Sequence, residues 1–275
     1  MLQCSTYPLL PLWFTARPLT VKAAADASSK LPYTAVQGDV LPGGKHAKFH
    51  ATRLDAGTMR ERTDSMLALM DQRRSLRFFS SDPVPLDVIQ QCVRVAGTAP
   101  SGAHCQPWTF VVVTDPQRKA AIRAAVEAEE QINYDRRMRK SWVGDVQGLV
   151  DNLHAGEKAD KVVKPYLTEA PAIVVVMKQV HGVDEQGGKV DHYYVEQSVG
   201  LAVGLFLAAL TNIGLFSLTS TPMGAEKAIR EVCGRPEHEK VFLLMPVGWA
   251  ADDATVPYRD ESTLRKPLEE VAVML

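Results

Sequence analysis

Apolar side chains follow two alternating periods along this chain, which predicts interleaved helices and strands. Residues 59–74 and 85–99 carry apolar side chains three and four positions apart, so we expect helices there, the second with Leu86 on its buried face. Asp115 followed by Pro116 predicts the start of a long charged helix, because aspartate caps a helix well and proline is tolerated at its first position. We expect this helix to continue to about residue 140.

Runs rich in β-branched and aromatic residues predict strands at 108–113, 171–177, 216–221 and 241–247. The first two runs are continuously apolar, so we expect them to be buried. Because strands alternate with helices, the predicted class is α+β or α/β with one mixed β-sheet.

One stretch, from Gln197 to Ala225, contains no charged residue. Its strongly apolar part is only about half the length of about 20 residues that a membrane-spanning helix needs, so we expect no membrane span. Gly200, Gly204 and Ala208 recur every four residues and form a ridge of small side chains. Such a ridge favours close packing of another helix, from this chain or from a second subunit.

Residues 1–58 differ from the rest of the chain and are expected to form an N-terminal extension to one domain at 59–275. Residues 1–21 contain no acidic side chain, and Arg17 is their only basic one. This composition favours a possible transit peptide, with a disordered arm as the alternative. We therefore expect a soluble protein, cytoplasmic or organellar.

Composition excludes several classes of function. The net charge of −1 gives no overall attraction to nucleic acid or to an acidic membrane. The four cysteines have no CxxC spacing, so neither a zinc site nor a disulfide framework is indicated. His46 and His50 have a spacing that a metal could use, but no third ligand is near, and we expect no metal.

The segment Pro100-Ser101-Gly102-Ala103-His104-Cys105-Gln106-Pro107-Trp108 connects the second predicted helix to the first strand. Two prolines with serine and glycine between them predict an irregular loop whose backbone N–H groups lack regular partners. Gly102 has no Cβ, so a flat ligand could approach the backbone there. An ordinary helix-to-strand connection is the alternative.

Three arginines and a serine lie close together upstream, at Arg73, Arg74, Ser75 and Arg77. Guanidinium groups bind phosphate through paired, charge-assisted hydrogen bonds, although a solvated basic helix end has the same composition. Further along, Thr219-Ser220-Thr221 precedes a proline, and Arg265-Lys266-Pro267-Leu268 lies near the C-terminus.

These motifs, in this order and spacing, resemble the FMN-dependent nitroreductase superfamily, and within it the iodotyrosine deiodinase family. The resemblance extends from about residue 73 to 273 and includes the strings Ile-Asn-Tyr at 132–134 and Ala-Thr-Val-Pro at 254–257. It implies a nitroreductase-like α+β fold with a mixed sheet flanked by helices. It also implies a homodimer with swapped terminal arms and two FMN sites at the interface.

The resemblance assigns FMN-binding roles to ten positions. The phosphate and pyrimidine side would be bound by Arg73, Arg74, Ser75 and Arg77, with Arg265 joining the phosphate. Pro100 and Ser101 would line the isoalloxazine, and Thr219, Ser220 and Thr221 would lie along its other edge. The Thr221 hydroxyl would donate to flavin N5, which in this family favours single-electron chemistry.

Four further positions would bind the substrate. In the deiodinases a Glu, a Tyr four residues later and a Lys before a Tyr-Leu pair close over an amino-acid zwitterion, and the matches are Glu130, Tyr134 and Lys164. The Ala103 N–H would bind the substrate phenolate. This chain has extra residues before the lysine, so Lys161 is the alternative. The polar, glycine-containing segment 141–164 would be a mobile lid.

The implied activity is FMN-dependent reductive dehalogenation of halotyrosines, with mono- and diiodotyrosine converted to tyrosine and iodide. NADPH would supply electrons directly or through a reductase. The alternatives are a general NAD(P)H-dependent nitro or quinone reductase on the same fold, and a flavin-binding protein without turnover. A promiscuous reductase does not need a zwitterion clamp, so Glu130, Tyr134 and Lys164 discriminate between the first two.

Overall fold

The computed structural model of this chain describes residues 47–48, 51–144, 162–258 and 265–275. The chain divides into two compact units, Met1–Arg53 and Leu54–Leu275, and every element below belongs to the second. Residues 1–46 of the expected N-terminal extension and 145–161 of the expected lid lie outside the described residues. The domain boundaries and the lid therefore stay predictions.

The strands are β1 (Trp108–Val113), β2 (Ala172–Gln179), β3 (His181–Val183), β4 (Lys189–Asp191), β5 (Phe216–Ser217) and β6 (Glu239–Gly248). Four of them form one sheet in the order β1-β2-β6-β5, while β3 and β4 form a separate hairpin. All strand neighbours in both sheets are antiparallel. We expected a mixed sheet with parallel and antiparallel strands. Within the described residues the only parallel pairing is one isolated bridge, between Ser75 and Ser217.

The buried strand β2 separates two hydrophobic cores. Its residues 172–177 are all buried, and they contribute alternately to a core on each face of the sheet. This arrangement follows from the period of two in a strand whose faces are both covered. By contrast, β1 lies at the edge of the sheet, and only Val113 of its six residues is fully buried. The prediction of a buried first strand was therefore wrong.

The helices are α1 (Ala56–Asp71), α2 (Leu86–Ala96), α3 (Pro116–Ile132), α4 (Tyr166–Glu169), α5 (Val195–Asn212), α6 (Glu226–Val232) and α7 (Leu268–Val271). The cap predicted for α3 is confirmed, since the Asp115 side chain accepts from the Arg118 N–H at 2.8 Å. Leu86 is 48% exposed, so the predicted buried face of α2 was wrong at that residue.

The long helix predicted to reach residue 140 is interrupted. After α3 the chain forms a π-helix, Asn133–Arg137, and then extends at Met138 with φ −89° and ψ 147°. A π turn of this kind shifts the later side chains around the helix axis and is frequent at functional sites. Here it lies directly at the cavity described below.

Helix α5 packs one face against the sheet, with Val199 and Phe206 among its buried residues. By length and composition alone this helix could cross a membrane, although a third of it is buried inside the chain. Gly200 and Gly204 lie on the exposed side, where an added Cβ would meet no atom within 4 Å.

Candidate functional site

A cavity of about 400 Å³ lies between the end of α3 and the connection from β5 to α6. Among the residues proposed from the sequence, it brings together Arg77, Glu130, Tyr134, Lys164, Thr219, Ser220 and Thr221. The sequence analysis did not anticipate several other members of its wall: Val126, Asn133, Met138, Trp142, Tyr166, Leu218, Pro222 and Met223. All of them except Asn133 and Tyr166 have wholly apolar side chains or an indole ring, which suits a halogenated ring. The sequence alone does not distinguish an apolar residue of a cavity wall from one of the core.

Three of these side chains form a continuous polar contact. The Lys164 ammonium lies 2.8 Å from Glu130 Oε1, and the Tyr134 hydroxyl donates to the same oxygen at 2.5 Å. The Lys164 nitrogen is also 5.9 Å from the centroid of the Tyr134 ring, within the range of a cation–π contact. Lys164 is only 9% exposed, so without Glu130 a largely buried charge would be left unpaired. The expected trio is thus assembled, with its two charges neutralising each other.

Both tyrosines of the cavity are held in the neutral form. Burial raises the pKa of the Tyr134 phenol far above its usual range, and the accepting Glu130 carboxylate raises it further. Burial also raises the pKa of Tyr166, and the negative charge of Glu130 adds to this effect. Tyr134 therefore stays a hydrogen-bond donor to Glu130 at physiological pH.

The segment Thr219–Thr221 lines the cavity on the side opposite α3. Ser220 is held at its backbone, since its N–H donates to the Leu244 carbonyl at 3.0 Å and its carbonyl accepts from the Leu244 N–H at 2.8 Å. Thr219 and Thr221, on either side, are exposed, and within the described chain their hydroxyls have no hydrogen-bond partner. Two hydroxyls on a fixed backbone are thereby available to a ligand.

Only one of the predicted phosphate-binding arginines lines this cavity. Arg77 lines the cavity, whereas Arg73, Arg74 and Ser75 do not. Arg74 donates to the Pro257 carbonyl instead. Arg265 is exposed on the described segment 265–275 and is not part of the cavity wall either. The FMN-binding roles of these residues therefore stay predictions.

The loop before β1 adopts an unusual backbone. Gly102–His104 form one turn of 3₁₀ helix, and φ is positive at Ala103 (48°), His104 (55°) and Gln106 (47°). For residues with a Cβ such conformations cost about 1–3 kcal/mol each, and they concentrate at functional sites. Two hydroxyls help to hold the loop.

Those hydroxyls belong to Ser101 and Ser198. Ser101 Oγ accepts from the Gln106 N–H at 3.0 Å, and Ser198 Oγ accepts from the Gly102 N–H at 3.3 Å. The sequence left open that a flat ligand could approach the backbone at Gly102, but the space of the missing Cβ is already filled. The space belongs to the chain itself, since an added Cβ would lie 2.7 Å from the Tyr193 carbonyl oxygen. Ala103 is exposed, and its N–H has no hydrogen-bond partner among the described residues.

Pro100 belongs to a second, shallower depression of about 620 Å³ beside the small-residue ridge of α5. Its other lining residues are Gln197, Gly200, Leu201, Gly204 and Leu205. Within the described chain the two cavities have no lining residue in common. The predicted flavin-lining loop and the predicted substrate clamp thus occupy different concave surfaces of a single chain.

A buried carboxylate, Glu239, supports the end of the loop that precedes β1. Glu239 is 2% exposed and accepts from Arg235 at 2.7 and 2.8 Å and from the Thr109 hydroxyl at 2.8 Å. Burial acts to raise the pKa of Glu239, but the hydrogen bonds from Arg235 and Thr109 outweigh it and hold the pKa below its usual value. The neighbouring Gln179 N–H donates to the Pro107 carbonyl at 2.9 Å, which fixes the end of the loop.

The described residues contain no group of three or more His, Cys, Asp or Glu side chains that could hold a metal ion. His46 and His50 lie outside these residues, as does Lys161, the alternative lysine. Cys105 is a partly exposed free thiol in the loop.

Comparison with known proteins identifies the family of this chain. Residues 70–249 match the model of the Nitroreductase family. The chain is 46% identical over 229 residues to iodotyrosine deiodinase 1 of Mus musculus, covering 83% of this chain and 76% of that protein. It is also 46% identical over 216 residues to iodotyrosine deiodinase of Nematostella vectensis, covering 78% and 77%.

Among solved structures, the fold resembles oxidised iodotyrosine deiodinase bound to FMN and 3-iodo-L-tyrosine. The TM-score is 0.59 at 28% identity, covering 74% of this chain and 98% of that one. The chain therefore belongs to the nitroreductase family and, within it, to the iodotyrosine deiodinases.

Proposed function

We propose that this protein catalyses FMN-dependent reductive deiodination of mono- and diiodotyrosine to tyrosine and iodide. The observation that carries this proposal is one cavity in which Glu130, Tyr134 and Lys164 are in mutual contact. A carboxylate and an ammonium placed together suit an amino-acid zwitterion, which a general nitro or quinone reductase does not need to recognise. The relatives named iodotyrosine deiodinase support the same substrate.

Binding of the zwitterion would be an exchange of ion pairs. Without substrate, Lys164 and Glu130 neutralise each other at 2.8 Å. The substrate ammonium would replace Lys164 at Glu130, and the substrate carboxylate would replace Glu130 at Lys164. Every charge keeps a partner, so no unpaired charge is buried. Tyr134 keeps its hydrogen bond to Glu130 and covers the ring, which excludes water from the reacting end.

The chain has the donor groups that an FMN cofactor requires. We propose that Arg73, Arg74, Ser75, Arg77 and Arg265 bind its phosphate and pyrimidine side, while Pro100, Ser101 and Thr219–Thr221 contact the ring. The guanidinium of Arg77 and the unpartnered hydroxyls of Thr219 and Thr221 at one cavity support this fit.

Reduced FMN, when bound, would supply two electrons that together with a proton convert the carbon–iodine bond into carbon–hydrogen and release iodide. NADPH, directly or through a reductase, is the proposed source of these electrons. The chain's own contribution is to orient the substrate. The Ala103 N–H would donate to the phenolate oxygen, which favours the ionised phenol. The Thr221 hydroxyl would donate to flavin N5.

We also propose that the active species is a homodimer. The exposed small-residue ridge at Gly200 and Gly204 and the neighbouring Leu201, which is 53% exposed, support a helix contact with a second copy. A second copy would also bring another Pro100–Ala103 loop, which could complete a site that one chain leaves divided. The purified protein should then be a yellow dimer with about one FMN per chain, and Arg265→Ala should bind FMN more weakly.

A titration tests the function. Oxidised protein is mixed with iodotyrosine, bromotyrosine or tyrosine, and flavin fluorescence reports binding; iodide release under reducing conditions reports turnover. We expect both halotyrosines to bind more tightly than tyrosine, because the halogen lowers the phenol pKa below its usual value of about 10. A protein that binds none of them, while NADPH alone drives rapid nitro reduction, would be a general reductase instead.

A further inference from the structure

Four polar side chains on α3, spaced four residues apart, contact a single stretch of chain at 162–170. We call Lys119, Arg123, Glu127 and Gln131 the docking strip. Residues four apart lie on one face of a helix, so the strip is one continuous stripe. Its first half holds α4: the Lys119 ammonium donates to the carbonyls of Thr168 at 3.0 Å and Ala170 at 2.7 Å, and Arg123 donates to the Thr168 hydroxyl at 2.8 Å.

The second half of the strip accepts hydrogen bonds from backbone N–H groups. Glu127 Oε1 accepts from the Lys164 N–H at 2.6 Å, and Gln131 Oε1 accepts from the Val162 N–H at 2.8 Å. The spacing is compatible, because two residues of chain span up to about 6.6 Å and four residues of helix rise about 6.0 Å. The two side chains therefore present acceptors to alternate N–H groups, as a neighbouring strand would.

Both acceptors are themselves held in place. Glu127 forms an ion pair with Arg123 at 2.7 Å. The Gln131 amide nitrogen faces both oxygens of Asp135 at 3.3 Å, which turns the amide oxygen towards Val162. With the backbone seated at 162 and 164, the Lys164 side chain reaches Glu130, which lies between the two acceptors along α3.

We propose that Glu127 and Gln131 are positioning residues for halotyrosine binding, because they seat the backbone of residues 162–164 so that Lys164 lies opposite Glu130. The inference rests on the proposed function, since it assumes that Lys164 meets the substrate carboxylate. Neither residue lines the cavity, so neither needs to touch the substrate.

The first test compares ligands with and without the zwitterion. In the FMN-loaded protein, Glu127→Ala and Gln131→Ala should each weaken iodotyrosine binding about three- to tenfold, the range expected for one lost hydrogen bond. Iodophenol binding should not change, since it has no carboxylate. Glu127→Gln keeps an acceptor oxygen and should recover most of the affinity. Gln117→Ala, the same change at an exposed position of α3, is the matched control.

The second test separates positioning from general destabilisation. In a Lys164→Ala background the additional Glu127→Ala change should have little further effect on iodotyrosine affinity, because the group that it positions is absent. Additive losses, or equal losses for iodophenol, would overturn the proposal.

Hydrogen exchange tests the seating independently of substrate. The amides of Val162 and Lys164 should exchange at least about tenfold faster in Gln131→Ala and Glu127→Ala, respectively. Unchanged exchange rates in both variants would also overturn the proposal. The two failures are distinguishable. If the wild-type protein does not bind iodotyrosine but the amides exchange faster in the variants, the proposed function is wrong, whereas the role of Glu127 and Gln131 in holding the backbone of residues 162–164 is correct.

Discussion

Replacing Lys164 by alanine should weaken the binding of iodotyrosine and strengthen the binding of iodotyramine, which is the same ligand without its carboxylate. The opposite signs follow from the ion pair between Lys164 and Glu130. Iodotyrosine offers each residue a new partner. Iodotyramine offers an ammonium to Glu130 but nothing to Lys164, so in the wild-type protein it must displace Lys164 and leave that charge unpaired.

The structure sets the expected size of both effects. Losing one partner of a desolvated charge pair costs about 2–5 kcal/mol. The Lys164 and Glu130 side chains keep 11% and 23% of their exposure, so some solvent screening remains. We therefore expect the lower part of the range, about 2–3 kcal/mol or roughly 30- to 150-fold weaker iodotyrosine binding. For iodotyramine we expect about tenfold tighter binding, because its ammonium no longer competes with Lys164 for Glu130. This is about the contribution of one charge-assisted hydrogen bond.

Quenching of flavin fluorescence measures both affinities in the same protein. Iodophenol, which has neither charge, serves as the control ligand and should bind equally to both forms. Glu130→Gln should show the mirror pattern with a ligand that has the carboxylate but no ammonium. If iodotyramine binds more weakly to Lys164→Ala, or if iodotyrosine is unaffected, the exchange of ion pairs is not how the substrate enters.

Three further outcomes are expected. Thr221→Ala should slow deiodination about tenfold or more relative to nitro reduction, measured as the ratio of the two rates. The reason is that the variant loses the hydroxyl that we propose to donate to flavin N5. Gly102→Ala should lower the urea midpoint by the equivalent of about 1–3 kcal/mol, because its Cβ would lie 2.7 Å from the Tyr193 carbonyl oxygen. Glu239→Gln should be less stable than wild type at pH 7, and urea titrations should show the difference vanish in acid. Its folded pKa is lowered, so the stabilisation is complete above the ordinary value of about 4.3 and is lost as pH falls through the folded pKa.

Each outcome has a matched control. Thr221→Ser keeps the hydroxyl and should keep the ratio of rates, so a serine variant as impaired as alanine would exclude the hydrogen bond as the cause. Gly144→Ala places a Cβ where no atom lies within 4 Å and should not lower the urea midpoint, because alanine is favoured over glycine in a helix. Glu237→Gln neutralises an exposed carboxylate and should show no pH-dependent difference. A Glu239 effect that persists unchanged at low pH would mean that packing, not charge, explains it.

Local sequence patterns predicted most elements because they depend on neighbouring residues. The cap at Asp115 was confirmed because an N-cap is a contact over three residues. The strand at 171–177 was confirmed because its continuous apolar run needs cover on both faces. The predictions failed where a distant part of the chain decides burial. Residues 108–113 have the composition of a buried strand, but strand order places them at the edge of the sheet.

The candidate site divides in the same way. By itself, the sequence determined which residue types were present and, through their order and spacing, the family; it also placed Glu130 and Tyr134 on one side of a helix. Only the tertiary structure decided that Lys164 pairs with Glu130 across 34 positions of sequence and that Gly102 adjoins Tyr193. The tertiary structure also decided that the backbone N–H groups of Val162 and Lys164 donate to Gln131 and Glu127. The physical reason is that a charged or polar side chain has many possible partners of equal chemistry, and packing of the whole chain selects one of them.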